Sequence, residues 1–292
     1  MADMKLGALE AGGTKMICAV GNEKGEIFEQ KVFPTLTPDE TIPQLIAYFK
    51  DQKIEGLGIG CFGPIDLDKK SPTYGFITST PKEAWQNYNI VGAFKKALKC
   101  PIGFDTDVNS SVLGEATWGC AKDVESSIYI TIGTGIGVGI YQKGQLLHGM
   151  LHPEAGHILL SKHDRDHYRG KCPYHSNCLE GLAAGPAIEE RWGKKAKELE
   201  TSTEVWELEA YYIAQALVNY ILTLAPHKII LGGGVMHQVQ LFPLIRQKVT
   251  EFLNGYIITK ELQDIDNYIV PASLQDNQGI MGCLKLALMA LS

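Results

Sequence analysis

No run of basic residues occurs in the 292-residue chain, and acidic groups outnumber basic ones, 33 against 27, for a formal net charge of −6. A mildly acidic chain without a cationic stripe is poorly matched to a phosphate backbone, so nucleic acid is not an expected partner. Long apolar runs are missing too. The glycine-rich apolar stretch "IYITIGTGIGVGIY" has only 14 residues, short of the roughly 20 that a membrane-spanning helix needs, and no membrane partner is expected. The opening "MADMKLGALEAGG" has no basic segment followed by an apolar one, the pattern of a secretory leader. Cysteine is present in an odd number, seven, mostly scattered through apolar segments. That is the pattern of reduced thiols in a cytoplasmic protein, not of a disulfide framework. Two nucleotide signatures are also lacking. No GxxxxGK[ST] run exists, and in "GTGIGVG" Val138 falls where the dinucleotide fingerprint requires its third glycine.

What is present is a pattern that runs twice. "KLGALEA", "MICAVGN" and "IFEQKVF" read as strands broken by the glycine turns "GGTK" and "EKGE". A helix follows over "TPDETIPQLIAYFKDQ", with Thr37 as its cap, Pro38 at its first position and Glu40 three residues on. Next come a buried strand "EGLGIGCF", a helix "NIVGAFKKALK", a strand "PIGFDTD" and a helix "NSSVLGEATWG", with Asn109 or Ser110 as its cap. Then "SSIYITI", "VGIYQKG" and "QLLHG" again read as strands around a glycine turn. They lead to helices over "GPAIEERWGKKAKEL" and "TEVWELEAYYIAQALVNYILTLA", the strand "KIILGGG", a helix, the strand "YIVPASL" and a last helix near "GIMGCLKLALMAL". Hairpins first, then helices alternating with buried strands, in both halves: this predicts a duplicated α/β architecture with a cleft between the halves. The expected division is a small domain over 1–115, joined by the C-terminal helix 278–292, and a larger one over 116–277.

Glycine turns sit at equivalent places in the two halves, at Gly12, Gly13, Thr14 and Lys15, and at Gly133, Thr134 and Gly135. Successive N–H groups in such a turn form an anion nest, and the threonines add hydroxyl donors. The alternative is a pair of ordinary hairpin turns. Gly232, Gly233 and Gly234 follow a buried strand and suit close packing of a flat ring, or simply a tight strand-to-helix turn. Asp105 and Asp107 end another buried strand. A carboxylate there can take a proton from an attacking hydroxyl, or the pair can merely solvate and cap a turn. Cys172-x-x-His175-x-x-Cys178 offers three ligands in seven residues, and His157, 15 positions earlier, is the candidate fourth. Such a set suits tetrahedral Zn²⁺; a polar loop with chance ligands is the alternative. His163 and His167 read as solvated. Trp85 reads equally as a platform for a sugar face and as a buried anchor.

Taken in order, "LEAGGTK", "GIGCFGPID", "DTDVNSSVLGEATWG", "ITIGTGIGVGI", "HPEAGH", "CPYHSNCLEGLAAGPA", "LGGGVM" and "DNQGIMG" span nearly the whole chain. This set resembles the ROK family of sugar kinases and regulators, within the actin-like ATPase superfamily, and its fructokinase branch in particular. The resemblance implies a duplicated actin-like (ribonuclease H-like) two-domain α/β fold whose cleft takes nucleotide and sugar. It implies that Asp107 is the general base and that Asn109, Glu154, His157 and Glu180 hold the sugar. Gly12, Gly13, Thr14, Lys15, Gly133, Thr134 and Gly135 would face the phosphates of ATP. Pro186 with Gly232, Gly233 and Gly234 would line the nucleotide pocket, and Mg²⁺ would accompany ATP. The family's zinc is usually held by one histidine and three cysteines. Here His175 stands in for one cysteine, beside His157, Cys172 and Cys178. Four protein ligands leave no open position, so the zinc is expected to be structural. A homodimer is also implied. Fructose is the expected hexose by likeness to the branch; mannose or glucose, and a non-catalytic sugar-binding regulator, are the alternatives.

Overall fold

The computed structural model describes residues 4–292. The chain divides into two compact units. One holds the residues up to Asp123 together with Gln145–Pro153 and Ser273–Ser292; the other holds Val124–Gly144 and Glu154–Ala272. The sequence placed the division near residue 115; here it falls after Asp123, and the stretch Gln145–Pro153 also belongs with the first unit.

In the first unit β1 (Leu6–Ala11), β2 (Lys15–Gly21) and β3 (Ile27–Pro34) form an antiparallel meander. Helix α1 (Pro38–Gln52) then leads to β4 (Gly56–Cys61), which lies parallel to β1. Thr37 opens α1 as expected: its N–H donates to Glu40 Oε2 at 3.2 Å. A two-residue ribbon, β5 (Phe76–Ile77) with β6 (Tyr88–Asn89), precedes α2 (Ile90–Leu98). Strand β7 (Ile102–Thr106) closes the sheet, in the order β3-β2-β1-β4-β7, and α3 (Asp107–Thr117) follows it directly. Every residue of β4 is buried, as a central strand covered on both faces requires. One core joins Leu9, Leu45, Phe49, Ile59, Phe94 and Trp85. Trp85 is 1 % exposed and its indole N–H donates to the Leu36 carbonyl at 2.7 Å, so it is the buried anchor and not a sugar platform.

The second unit repeats the scheme. Strands β8 (Ser126–Ile132) and β9 (Ile136–Gln142) form an antiparallel hairpin. The "QLLHG" strand shrinks to β10 (Gln145–Leu146), at the start of the segment counted with the first unit. Helices α4 (Leu179–Ala183), α5 (Gly185–Trp192) and α6 (Thr203–Leu224) lead to β11 (Lys228–Gly232), which lies parallel to β8. After α7 (Leu241–Leu253) and the short turns α8 (Lys260–Gln263) and α9 (Ile265–Tyr268), strand β12 (Ile269–Pro271) pairs parallel with β11. The expected long helix after Gly185 stops at Trp192, because Gly193 takes φ 67° and turns the chain out of the helix.

The chain ends on α10 (Gln278–Leu291), which packs in the first unit. Glycines make this possible. At Gly58 and Gly103 the backbone of α10 passes so close that a Cβ would run into the carbonyls of Cys283 and Leu286. Gly114 of α3 and Gly282 of α10 allow the same intimacy between those two helices. Cys283 Sγ reaches the Leu9 carbonyl at 3.2 Å. Among the described residues no helix is long and apolar enough to cross a membrane.

Candidate active site and metal cluster

The turn between β1 and β2 is closed by Gly12 N–H on the Lys15 carbonyl at 3.1 Å. Thr35 fastens it from β3's end, its hydroxyl donating to the Gly12 carbonyl at 2.7 Å and its N–H to the Thr14 carbonyl at 3.1 Å. Thr14 and Lys15 are exposed. Lys82, which the sequence reading did not single out, lies over Gly13: a Cβ there would sit 3.2 Å from its Cε. The turn therefore has two lysines at hand for an anion.

Asp107 is the first residue of α3. Thr106, not Asn109 or Ser110, is the cap: its Oγ1 accepts the Asn109 N–H at 3.0 Å. The strand stops one residue earlier than the sequence pattern implied and the helix begins at Asp107, which leaves Thr106 as the last extended residue. Burial pushes the Asp107 carboxyl up to about 6, against the opposing pull of the Val108 N–H, which it accepts at 2.9 Å. Glu10, at the end of β1 just before the glycine turn, is pushed up to about 7, first by burial and then by the negative charge of Asp107; Lys15 opposes both. Two carboxyls with interacting charges, both poised near neutrality, are suited to proton transfer. They are also oxygen donors of the kind Mg²⁺ takes, and Mg²⁺ needs only one or two protein carboxylates. Glu10 went unnoticed in the sequence, although it stands immediately before "AGGTK".

Asn109 is buried, and its amide Nδ2 donates to Asp105 Oδ1 at 2.7 Å. Asp105 is buried as well, and its Oδ2 faces His148 Nε2 at 2.8 Å. That hydrogen bond raises the His148 imidazole above its ordinary value, against the opposing effect of burial. His152 is buried and accepts the Ile65 N–H on Nε2 at 3.1 Å; burial lowers its pKa, and its role is structural.

In the second unit three glycine-bearing segments converge. The Gly133–Gly135 turn is closed by Gly133 N–H on the Gly135 carbonyl at 2.9 Å. Gly185 N–H, at the start of α5, donates to the Gly133 carbonyl at 2.8 Å, which sets Pro186 beside that turn. Gly233 has φ 88°, and a Cβ on it would strike the backbone of Ile132, so only glycine lets the Gly232–Gly234 turn lie against β8. Glu180 Oε2 accepts the Ile136 N–H at 2.9 Å, just past the turn, while its Oε1 lies 3.8 Å from His157 Nε2. Glu154 is exposed, and its carbonyl accepts the His157 N–H at 3.0 Å.

The ligating atoms of His157, Cys172, His175 and Cys178 all lie within 4.8 Å of one another. Cys172 Sγ is 3.8 Å from His157 Nδ1 and 3.7 Å from His175 Nδ1, and Cys178 Sγ is 3.6 Å from His157 Nδ1. Tetrahedral Zn²⁺, bonded at about 2.3 Å to sulfur and about 2.0 Å to nitrogen, sets its sulfur and nitrogen ligands roughly 3.5 Å apart. The donor set and its spacing fit zinc. Burial pushes the Cys178 thiol up to about 11, so a thiolate there needs a cation beside it. His163 is not a ligand and not simply solvated: its ring packs edge-on against Tyr211, with centroids 4.9 Å apart, and its Nδ1 accepts the Arg165 N–H at 3.2 Å. His167 is exposed.

The sequence pattern of the ROK family matches residues 6–290. A relative from Bacillus subtilis (strain 168) is 56% identical over 287 residues, covering 98% of this chain and 96% of its own. A protein of Pediococcus pentosaceus named fructokinase is 47% identical over 288 residues, covering 99% of both chains. Among solved structures, the ROK hexokinase of Thermus thermophilus superposes with a TM-score of 0.81 at 24% identity, over 99% of both chains, which supports the duplicated α/β fold. With the motifs in order, both glycine turns in place and a family match over nearly its full length, the chain belongs to the ROK family.

Proposed function

We propose that this protein is an ATP-dependent hexose kinase, a fructokinase that transfers the γ-phosphoryl group of ATP to fructose and yields fructose 6-phosphate. The observation that carries the reading is Asp107: a carboxyl at the head of α3, in the same unit as the Gly12–Lys15 turn, raised to about 6 and so still ionised at pH 7 yet basic enough to accept a proton. In the reaction the sugar hydroxyl oxygen attacks the γ-phosphorus and its proton passes to Asp107. The bond from the γ-phosphorus to the β,γ-bridging oxygen breaks, and ADP leaves. Phosphoryl transfer of this kind is mainly positioning and charge neutralisation.

The remaining roles follow the residues. Gly13, Thr14 and Lys15, with Lys82, offer N–H, hydroxyl and ammonium groups to phosphate oxygens on the turn that Gly12 closes. Thr134 and Gly135 offer N–H and hydroxyl groups in the same way, on the turn that Gly133 closes. Pro186 and Gly232–Gly234 would line the nucleoside, with open space beside Gly234. Mg²⁺, when bound with ATP, neutralises the phosphates. Asn109, Glu154, His157 and Glu180 accept or donate to sugar hydroxyls. We assign a structural zinc to His157, Cys172, His175 and Cys178. Through His157, whose Nδ1 faces the sulfurs and whose Nε2 faces Glu180, this zinc sets the position of a sugar-binding carboxylate. The protein acts in the cytoplasm as a homodimer, a state that light scattering of the purified protein reads directly.

The test is Mg·ATP-dependent ADP release with fructose, mannose, glucose and N-acetylated hexosamines. Fructose should give the highest kcat/KM. A preference for another hexose would replace the substrate and keep the kinase; no turnover with any sugar in folded, zinc-loaded protein would overturn the reading in favour of a sugar-binding regulator.

A further inference from the structure

We infer that Arg191, with Asp166 and Tyr212, is a positioning group for the zinc site: it clamps the loop between His157 and Cys172 onto α5 and α6 without help from the metal, so that the loop brings its ligands to zinc already in order. The inference rests on the zinc assigned above to His157, Cys172, His175 and Cys178.

From Ile158 to Lys171 the chain is an irregular loop, with an isolated bridge between Leu159 and Cys178 at its base. A loop of this kind has no regular ladder to satisfy its backbone, so side chains must hold it. Asp166 lies in this loop with 3 % of its side chain exposed, and Arg191 of α5 meets it with 6 % exposed. Arg191 Nη2 is 3.1 Å from Asp166 Oδ2. The same oxygen accepts the Tyr212 hydroxyl at 2.6 Å, and Asp166 Oδ1 accepts the Tyr168 N–H at 3.0 Å. The guanidinium also lies over two rings, 4.6 Å from the centroid of Tyr168 in the loop and 5.6 Å from that of Tyr212 in α6. Tyr212 acts twice, because its oxygen accepts the His163 N–H at 3.2 Å. Further along α6, Gln215 holds the Ser161 backbone on both sides: its Oε1 accepts the N–H at 3.1 Å and its Nε2 donates to the carbonyl at 3.0 Å.

Every residue in this set stands apart from the four ligands. At the end of the loop Lys171, next to Cys172, donates its N–H to the Gly181 carbonyl at 2.8 Å, and its ammonium pairs with Glu190 of α5, the residue before Arg191. The two ends of the loop carry His157 and Cys172, so fixing its middle on α5 and α6 limits how far those ligands can separate. A buried ion pair adds little net stability, because taking two charges out of water costs about as much as their attraction returns; what it favours is one defined arrangement. Arginine suits that role, since its planar group meets a carboxylate and stacks on rings at once. A loop ordered only by the metal would consume binding free energy in its own ordering, whereas a loop ordered beforehand leaves that free energy to appear as affinity. Zinc affinity, more than fold stability, is therefore what the clamp sets.

The experiment measures zinc affinity, by competition with a chromophoric chelator, for wild type, Tyr212→Phe and the double variant Arg191→Met with Asp166→Asn, and hydrogen exchange of the zinc-stripped proteins. Tyr212→Phe removes a single hydroxyl from the clamp. The double variant removes both charges of the pair, so neither is left buried without the other. Gly282→Ala, which disturbs α10 in the other unit, is the control for a general loss of stability. Zinc should bind both clamp variants roughly tenfold to a hundredfold more weakly, the range usual for partners that orient metal ligands. Gly282→Ala should lower Tm and keep the wild-type zinc affinity. In zinc-stripped wild type the amides of residues 158–171 should stay protected to within about tenfold of the zinc-loaded protein, and in the clamp variants that protection should be lost. A folded clamp variant that binds zinc as tightly as wild type, a Gly282→Ala variant that loses as much affinity as they do, or a wild-type loop that loses its protection when zinc is removed would overturn the proposal while leaving the zinc assignment intact. If wild type bound no zinc, the assignment would fail, and this proposal with it.

Discussion

Asp107 offers a direct way to test the chemistry, because its environment sets a pH at which activity should be lost. Its carboxyl is pushed up to about 6 from an ordinary 3.8, mainly by burial. A general base works only when deprotonated, so activity belongs to the side of higher pH, and a raised value brings the acid limb closer to neutrality. With a midpoint near 6, roughly a tenth of the carboxyl is ionised at pH 5, and kcat/KM should fall about tenfold for each further unit of acid. With the ordinary value, nearly all of it would still be ionised at pH 5 and almost no loss would be seen. The relevant profile is that of kcat/KM, which reports the free enzyme. Glu10, raised to about 7 partly by Asp107, titrates with it, so the limb belongs to the pair and its upper shoulder should sharpen in Glu10→Gln. Zinc content must be followed alongside, since metal affinity at such a site depends on pH. Asp107→Asn should flatten the profile and lower kcat by about 10² to 10⁴. An acid limb centred below about pH 4.5 in zinc-loaded protein, or an Asp107→Asn variant within about threefold of wild type, would refute the assignment.

Three other outcomes follow from the same structure. Stripping zinc with a chelator should raise the fructose KM about tenfold or more, because His157 would lose the contact that orients its ring toward Glu180; an unaltered sugar KM in verified zinc-free protein would sink that link. Glu209 is buried on α6, its Oε1 has no hydrogen-bond partner, and burial holds its carboxyl well above the ordinary range despite the nearby charge of Arg191. The folded state therefore binds this proton more tightly than the unfolded one. Stability should rise as pH drops from the folded-state value toward 4.5, and the cost is fully present above it. Glu209→Gln should raise Tm at pH 8 and weaken that dependence; a fall in Tm of more than about 3 °C would contradict it. Gly282→Ala should destabilise by about 1 to 3 kcal/mol, since α3 leaves no room for a methyl group, and urea denaturation showing no loss would mean that the two helices separate freely.

Much of this molecule was legible in its sequence, and the reason is locality. The turns after β1 and β8 could be read because glycine spacing bears on backbone conformation within a few residues. The repeated order of hairpin, helix and buried strand could be read because side-chain periodicity reports which face of each element is covered. The clustering of His157, Cys172, His175 and Cys178 could be anticipated because few residue types bind transition metals and three of these lie within seven positions. The end of α5 at Gly193 and the cap at Thr106 were misjudged by a few residues, where patterns of burial are blind to dihedral angles. What the tertiary structure alone decided were pairings over long separations: His152 with Ile65 across 87 positions, Glu180 with Ile136 across 44 and His148 with Asp105 across 43. Trp85 belongs with these, since only packing distinguishes a buried anchor from a sugar platform. So do the raised carboxyls of Asp107 and Glu10, for a pKa is set by the dielectric and charges of the neighbours, and those neighbours are assembled only when the chain folds.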